Sequence, residues 1–260
     1  MTDVETIAAF LEQLAPCRLA EDWDNVGLLV GRREQAVKKI MTCLTVTPAS
    51  AAEAVAAGAD LIVSHHPLPF SAIKRLTEET TPGRLLLDLI AARVAVYSAH
   101  TAFDSAGEGI NQRLAEGLGL VEIMPLVPNA EGGGAGRYGC LETPTSLGEL
   151  ADRAKRFLKI DRLQMVGDSA KRVSTVAVAC GAAGEFLDAA RDRVCDAMLI
   201  GETRFHTCLE AESLGIGLLL PGHFASERFA MECLADRIAR QFPELDVWPS
   251  RQERDPLQWA

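Results

Sequence analysis

A chain of 260 residues, 48% of them hydrophobic, can bury the core of one large domain or of two domains of roughly 100–150 residues, which sets disorder aside. Its formal net charge of −10 argues against bulk binding to nucleic acid or to an anionic membrane, since both need clustered Lys and Arg. An anionic substrate stays open, because bound cations reverse the local sign inside a cleft.

Only 5% of residues are aromatic, and the apolar content is mostly Ala, Leu, Val and Ile, which suits helices packed on buried strands. The start Met1-Thr2-Asp3-Val4-Glu5 is acidic where a secretory signal is basic, and no apolar run approaches the roughly 20 residues that span a bilayer. The seven cysteines (Cys17, Cys43, Cys140, Cys180, Cys195, Cys208 and Cys233) are odd in number, scattered and free of C-x-x-C pairs. They read as reduced, buried thiols, and a cytoplasmic location is expected.

In chain order, Ile7, Phe10, Leu11 and Leu14 sit at helical spacing over residues 3–15, and Pro16 stops the pattern. Asp22-Trp23-Asp24-Asn25 is a polar turn running into a short apolar strand, Val26 to Gly31. The pattern then predicts a strand over 39–46, a helix over 48–57, a strand over 59–63, a helix over 84–92, a strand over 94–97 and a helix over 109–117. Residues 125–137, with Pro125, Pro128 and Gly132-Gly133-Gly134-Ala135-Gly136-Arg137, read as a linker or mobile loop. The domains are therefore expected at 1–124 and 125–260. A helix over 146–158 follows, and then strand 173–179, helix 184–193, strand 197–200, helix 207–214, strand 216–220 and helix 225–240.

This second series repeats the first. Asp60-Leu61-Ile62-Val63-Ser64-His65-His66 aligns with Asp196-Ala197-Met198-Leu199-Ile200-Gly201-Glu202. Val94 to His100 aligns with Gly217 to His223, and each of those strands ends in a His followed four residues later by an acid, His100…Asp104 and His223…Glu227. The expected fold is α/β, with two related domains from an internal duplication and mostly parallel sheets covered by helices. Ligands of such sheets lie beyond the carboxyl ends of the strands. All five histidines follow directly or closely after a predicted strand.

Neutral imidazole is the commonest metal ligand, and carboxylates complete mixed nitrogen and oxygen sites. In Ser64-His65-His66-Pro67 adjacent side chains diverge, which suits two neighbouring ions better than one. His223 and Glu227, at i and i+4, share a helix face. Singly, these motifs have plainer readings: a strand-end His pair caps a turn, and H-x-x-x-[DE] is a helix-surface ion pair. Their joint occurrence at matching places of two halves favours the metal. Trp23-Asp24-Asn25 reads as a packed Trp with an Asx turn, and Arg137 as an anion contact. The glycine run lacks the Gly-Lys-Ser/Thr end of a P-loop.

Trp23-Asp24-Asn25-Val26-Gly27-Leu28, Ser64-His65-His66-Pro67, Ala99-His100-Thr101-Ala102-Phe103-Asp104, Gly136-Arg137-Tyr138-Gly139 and Gly222-His223-Phe224-Ala225-Ser226-Glu227 resemble the signature blocks of the Nif-three-like dinuclear-metal-centre family. Its members, YbgI-like proteins among them, are often catalogued as GTP cyclohydrolase I type 2. The resemblance runs from about residue 5 to 242. It implies a two-domain protomer in a homohexameric ring, with two divalent ions (zinc, iron, manganese or cobalt) per chain in the inter-domain cleft. His66 and Asp104 would bind one ion, His65 and His223 the other, and Glu227 would bridge. His100 and His206 would stand nearby as proton-transfer or substrate-orienting groups. Two departures are Thr45, where an Asp is common, which removes a carboxylate behind the ligands, and Phe224 in place of Tyr.

Five ligands exceed the three that one catalytic zinc takes from protein. Two ions sharing a bridging water support hydrolysis at a ring carbon, amide or phosphate ester, with His100 as general acid or base. The expected substrate is a small molecule, which the resemblance extends to a nucleotide. A non-catalytic, ring-shaped metal-binding adaptor or regulator is the competing reading.

Overall fold

The computed structural model describes residues 2–129 and 133–258. The chain divides into two compact units, Met1–Phe103 with Ala230–Ala260, and Asp104–Phe229. The boundary expected at 124/125 is thereby moved: it falls inside a strand, and the C-terminal segment rejoins the first unit. Among the described residues no helix is long and apolar enough to cross a membrane.

The first unit begins with α1 (Val4–Leu14), whose N-terminus is capped by Asp3 accepting from the Thr6 N–H and whose buried face includes Ile7 and Leu11. β1 (Gly27–Val30) and β2 (Lys39–Cys43) follow. α2 (Pro48–Ala57) opens on a Thr47–Ser50 capping box with Pro48 in the first turn, and Gly58 ends it in the left-handed region at φ 67°. Next come β3 (Leu61–Ser64), α3 (Thr81–Ala91), β4 (Ala95–Ser98) and α4 (His100–Ser105). β3 and β4 are buried along their whole length, as interior strands of a covered sheet are.

The second unit contains α5 (Ile110–Gly117), β5 (Leu120–Pro128), β6 (Gly134–Ser146), α6 (Leu147–Leu158), β7 (Gln164–Val166) and β8 (Arg172–Ala182). After a single 3-10 turn come α7 (Leu187–Asp192), β9 (Ala197–Glu202), α8 (Phe205–Leu214), β10 (Gly217–Leu220) and α9 (His223–Gln241). β11 (Asp246–Pro249) returns to the first sheet. The division between units falls within α4 and α9.

The first sheet has the order β1-β4-β3-β2-β11, and among the described strands only β1 runs antiparallel to its neighbour. Its core gathers Met41, Ile62, Leu89 and Val96. The second sheet has the order β5-β6-β8-β9-β10-β7, in which only β8–β9 and β9–β10 are parallel. Mostly parallel thus describes the first sheet and not the second. The cause is the stretch read as a linker, which is the β5–β6 hairpin instead; its residues 130–132 lie outside the described residues. Asn129 N–H donates to the Gly133 carbonyl at 3.0 Å. Glycine serves close strand approach here: a Cβ on Gly134, at φ 149°, would lie 2.2 Å from the Val127 carbonyl oxygen.

Both sheets share one order of elements: a helix, an antiparallel edge strand, three parallel strands with helices between, and a final helix beginning with His. The polar details agree. Asp60 Oδ2 accepts from the N–H groups of Lys38 and Lys39, and Asp196 Oδ2 from those of Ser174 and Thr175. The Asp60 carbonyl accepts from Ala95, and the Asp196 carbonyl from Gly217.

Candidate metal centre

His65 and His66 prolong the β3 ladder past its end. Their N–H groups donate to the Cys43 and Leu44 carbonyls at 3.1 and 2.8 Å, so both side chains leave the carboxyl edge of the first sheet. His100 opens α4 in the same unit, with φ 28°, a backbone region uncommon for a residue with a Cβ and found disproportionately at functional sites. The ring centroids of His65 and His66 lie 5.2 and 5.5 Å from that of His100 and 5.0 Å from each other. One ligand atom from each of the three falls within 4.8 Å of the others, a donor set that could hold a metal ion.

His66 and His100 each have a support. Thr45 Oγ1 lies 2.7 Å from His66 Nδ1, so a hydroxyl orients the ring at the place where the sequence suggested a lost carboxylate. Thr45 is itself held by the C-terminal segment, where Glu253 accepts from the N–H groups of Leu44 and Thr45 at 2.9 and 2.6 Å. That segment wraps on Glu53, which accepts from Ser250 Oγ and from the Arg251 and Gln252 N–H groups. His100 Nδ1 lies 2.7 Å from Asp24 Oδ1. Asp24 Oδ2 accepts from the Thr101 N–H at 3.1 Å, and Oδ1 from the Asn25 N–H at 2.7 Å. Burial pushes the Asp24 carboxyl up, but the hydrogen bonds from His100 and Thr101 outweigh it and bring it down to about 2. Asp24 is thus an ionised acceptor at neutral pH and holds the proton of His100 on Nδ1, leaving Nε2 as the basic nitrogen.

The second unit carries the other expected groups. His223 opens α9, and its Nε2 lies 3.1 Å from Glu227 Oε2, with Glu227 buried. Its Nδ1 lies 3.0 Å from Glu202 Oε1. The hydrogen bond that protonated His223 donates to Glu227, with both carboxylate charges adding, raises His223 to about 9 against the opposing effect of burial. Gly222 takes φ 99° ahead of His223, and Ser226 Oγ donates to the His223 carbonyl at 2.8 Å while accepting from the Gly181 N–H at 3.0 Å. Asp104 Oδ1 lies 3.0 Å from Cys180 Sγ. Burial, with the Asp104 and Glu227 charges, pushes the Cys180 thiol well up, so it stays protonated and donates. Asn111 closes the arrangement: its Nδ2 donates to the Asp104 carbonyl and its Oδ1 accepts from the Cys180 N–H at 2.7 Å.

The donor chemistry fits divalent cations: imidazoles and carboxylates, with a His–Glu pair 3.1 Å apart that two bonds of roughly 2.0–2.2 Å to one ion can span. Gly181 keeps that space open, since a Cβ there would lie 2.3 Å from Glu227 Oε1.

Two expectations change. Arg137 is buried and donates through Nε to Gln112 Oε1 and through its terminal nitrogens to the Gly134, Gly136, Ser105 and Ala106 carbonyls, so all five N–H groups serve the scaffold and none faces an anion. Trp23 is not packed but 63% exposed. His206 is exposed on the first turn of α8, with its ring 5.8 Å from that of Phe205. Asp24, Glu202 and Cys180 are supports that sequence reading left unassigned. Glu202 carried a signal in its alignment with His66, and Asp24 in its place within the Trp23–Leu28 block.

The Duf34/NIF3 (NGG1p interacting factor 3) family model matches residues 2–256. A GTP cyclohydrolase 1 type 2 homolog of Clostridium acetobutylicum is 36% identical over 227 residues, covering 86% of this chain and 85% of its own length. NIF3-like protein 1 of Drosophila melanogaster is 31% identical over 255 residues, covering 95% and 86%. The crystal structure of a Bacillus cereus protein related to NIF3 superposes with a TM-score of 0.91 over 100% of this chain and 99% of that one, at 21% identity, which speaks to the fold alone. Reduced HcgD from Methanocaldococcus jannaschii superposes with a TM-score of 0.83 at 26% identity, covering 95% and 97%.

Proposed function

This chain belongs to the Duf34/NIF3 family, and from that premise we propose that it is a dinuclear metal-dependent hydrolase of a small molecule. The observation that carries the reading is the gathering of His65, His66 and His100 donor atoms within 4.8 Å at the carboxyl edge of the first sheet. His66 and Asp104 would hold one ion and His65 and His223 the other, with Glu227 bridging; the two units would have arisen by duplication. Two such ions supply Lewis-acid activation of water and of the attacked group. Thr45 and Glu202 orient the His66 and His223 rings, and Cys180 orients Asp104. His100 accepts or returns the proton through Nε2, because Asp24 occupies Nδ1. Exposed His206 is left without a step.

A hydrolysable ring C–N bond, amide or phosphate ester is the proposed target, in keeping with the GTP cyclohydrolase naming of relatives. Protein purified without added metal is expected to carry close to two ions per chain by elemental analysis. It should turn over a member of a panel of cyclic amides, phosphodiesters and GTP, and His100→Ala should lose turnover with the ions retained. A metal count near zero under gentle purification sinks the reading. Two ions without turnover, in a homohexamer that dissociates on chelation, would establish the metal-binding scaffold in its place.

A further inference from the structure

Two large aromatic side chains of the first unit are left in water beside the histidine cluster. Trp23 is 63% exposed and Phe70 56% exposed, and their ring centroids lie 6.1 Å apart. Both also touch His100, at 5.9 and 5.8 Å with interplanar angles of 79° and 73°. Exposed rings of this size forgo much of the free energy that burial provides, so a neighbouring pair calls for an occupant. The pair is held, not loose. Asn25 Nδ2 donates to the Pro69 carbonyl at 2.8 Å, tying the turn that carries Trp23 to the loop that carries Phe70. Asp24 anchors the same turn to Thr101 and His100. The result is a pre-organised aromatic surface whose inner border is the imidazole nearest the chemistry.

We propose that Trp23 and Phe70 form a stacking platform for a planar heteroaromatic ring of the nucleobase class, carried by a small ligand whose reacting group reaches His100. The identity of that reacting group rests on the hydrolase reading; the platform does not. Stacking suits the observation because every heteroaromatic ring offers a π-face and two fixed aromatic rings lose little freedom on meeting it. A second copy of the chain suits it less. Two partly exposed rings of about 150–250 Å² each fall well short of the roughly 800 Å² per partner that a stable interface buries.

The test uses the metal-loaded protein, titrated with the nucleoside 5′-monophosphates and with ribose 5-phosphate as the ringless control. At least one nucleotide is expected to quench the Trp23 emission, and ribose 5-phosphate to leave it unchanged. Trp23→Ala and Phe70→Ala should each weaken nucleotide binding about 5- to 150-fold with metal content intact, and Trp23→Phe should restore most of it. Equal affinity for ribose 5-phosphate, unaltered binding in Trp23→Ala, or no nucleotide binding at millimolar concentration overturns the proposal. So does a Trp23→Ala protein that changes its assembly mass and keeps its nucleotide affinity, which would make the patch a subunit contact. Nucleotide held on Trp23 without turnover of any substrate would remove the hydrolase reading and leave the platform standing.

Discussion

His100 Nδ1 lies 2.7 Å from Asp24 Oδ1, and the other oxygen of Asp24 is occupied by the Thr101 N–H. A carboxylate can only accept, so the imidazole proton is confined to Nδ1. In Asp24→Asn the amide can donate to that nitrogen and reverse the tautomer. Turnover is expected to fall about 10²–10⁴-fold, the usual worth of a positioned general base, while the bound-metal count stays the same. Steady-state rates beside elemental analysis check this, and a wild-type rate in the variant would take His100 out of the chemistry.

The same pair has a signature in stability. The Asp24 carboxyl is held at about 2 in the folded protein against an ordinary 3.8, and its side chain is only 1% exposed. A depressed folded value means a contribution fully present above the unfolded value and lost as pH falls through the folded one. The window is therefore roughly pH 4 to 2, and the size about 2 kcal/mol. Urea unfolding of metal-free protein at pH 5, 3.5 and 2.5 should show the gap between wild type and Asp24→Asn closing as the acid is added. A gap independent of pH would contradict the assignment.

Thr45 bonds His66 through a hydroxyl, which donates and accepts equally well and so leaves the ring tautomer less constrained than a carboxylate would. Thr45→Val keeps the shape and removes the partner. Metal affinity is expected to drop about 10–100-fold, the usual effect of deleting a group that orients a ligand, with little change in thermal midpoint. Competition against a chelator of known affinity measures it, and an unchanged constant would show that Thr45 plays no part in tuning His66.

Gly181 stands at φ 65°, and a methyl group there would meet Glu227 Oε1 at 2.3 Å. Gly181→Ala combines a left-handed backbone cost of about 1–2 kcal/mol with a forced turn of the Glu227 carboxylate away from His223. A lower urea midpoint together with weakened metal binding is the expected pair of results. Loss of stability with metal affinity intact would mean that Glu227 is not a ligand.

Much of the scaffold was legible because buried strands and amphipathic helices advertise themselves. The predicted strand at 39–46 appears as β2 (Lys39–Cys43), and the predicted helix at 48–57 coincides with α2. The shared place of Asp60 and Asp196 before β3 and β9 was legible too, since the aspartates aligned with the strands. β5 and β6 were not: Pro125 and Pro128 sit where an edge strand tolerates a missing donor, and the glycines of β6 serve close packing. Histidines grouped by strand ends were visible as candidate donors, whereas their supports were hidden. Asp24 reaches His100 across 76 residues, and nothing in local periodicity encodes such a bond. Arg137 misled for the opposite reason, because a guanidinium near glycines looks like an anion contact until its five donors are found occupied by the protein's own carbonyls and Gln112.

Glu253 gives the far end of the polypeptide a say over a candidate metal-binding imidazole. It grips the two amides just beyond β2, one of them belonging to the residue that steers His66. Trimming the last eleven residues, or fusing a bulky tag to them, would hand those amides, 209 and 208 positions upstream of Glu253, to water and slacken the His66 ring. Preparations differing only at the carboxyl terminus would then differ in metal occupancy, which makes an untouched terminus the sound starting material for any assay of this protein.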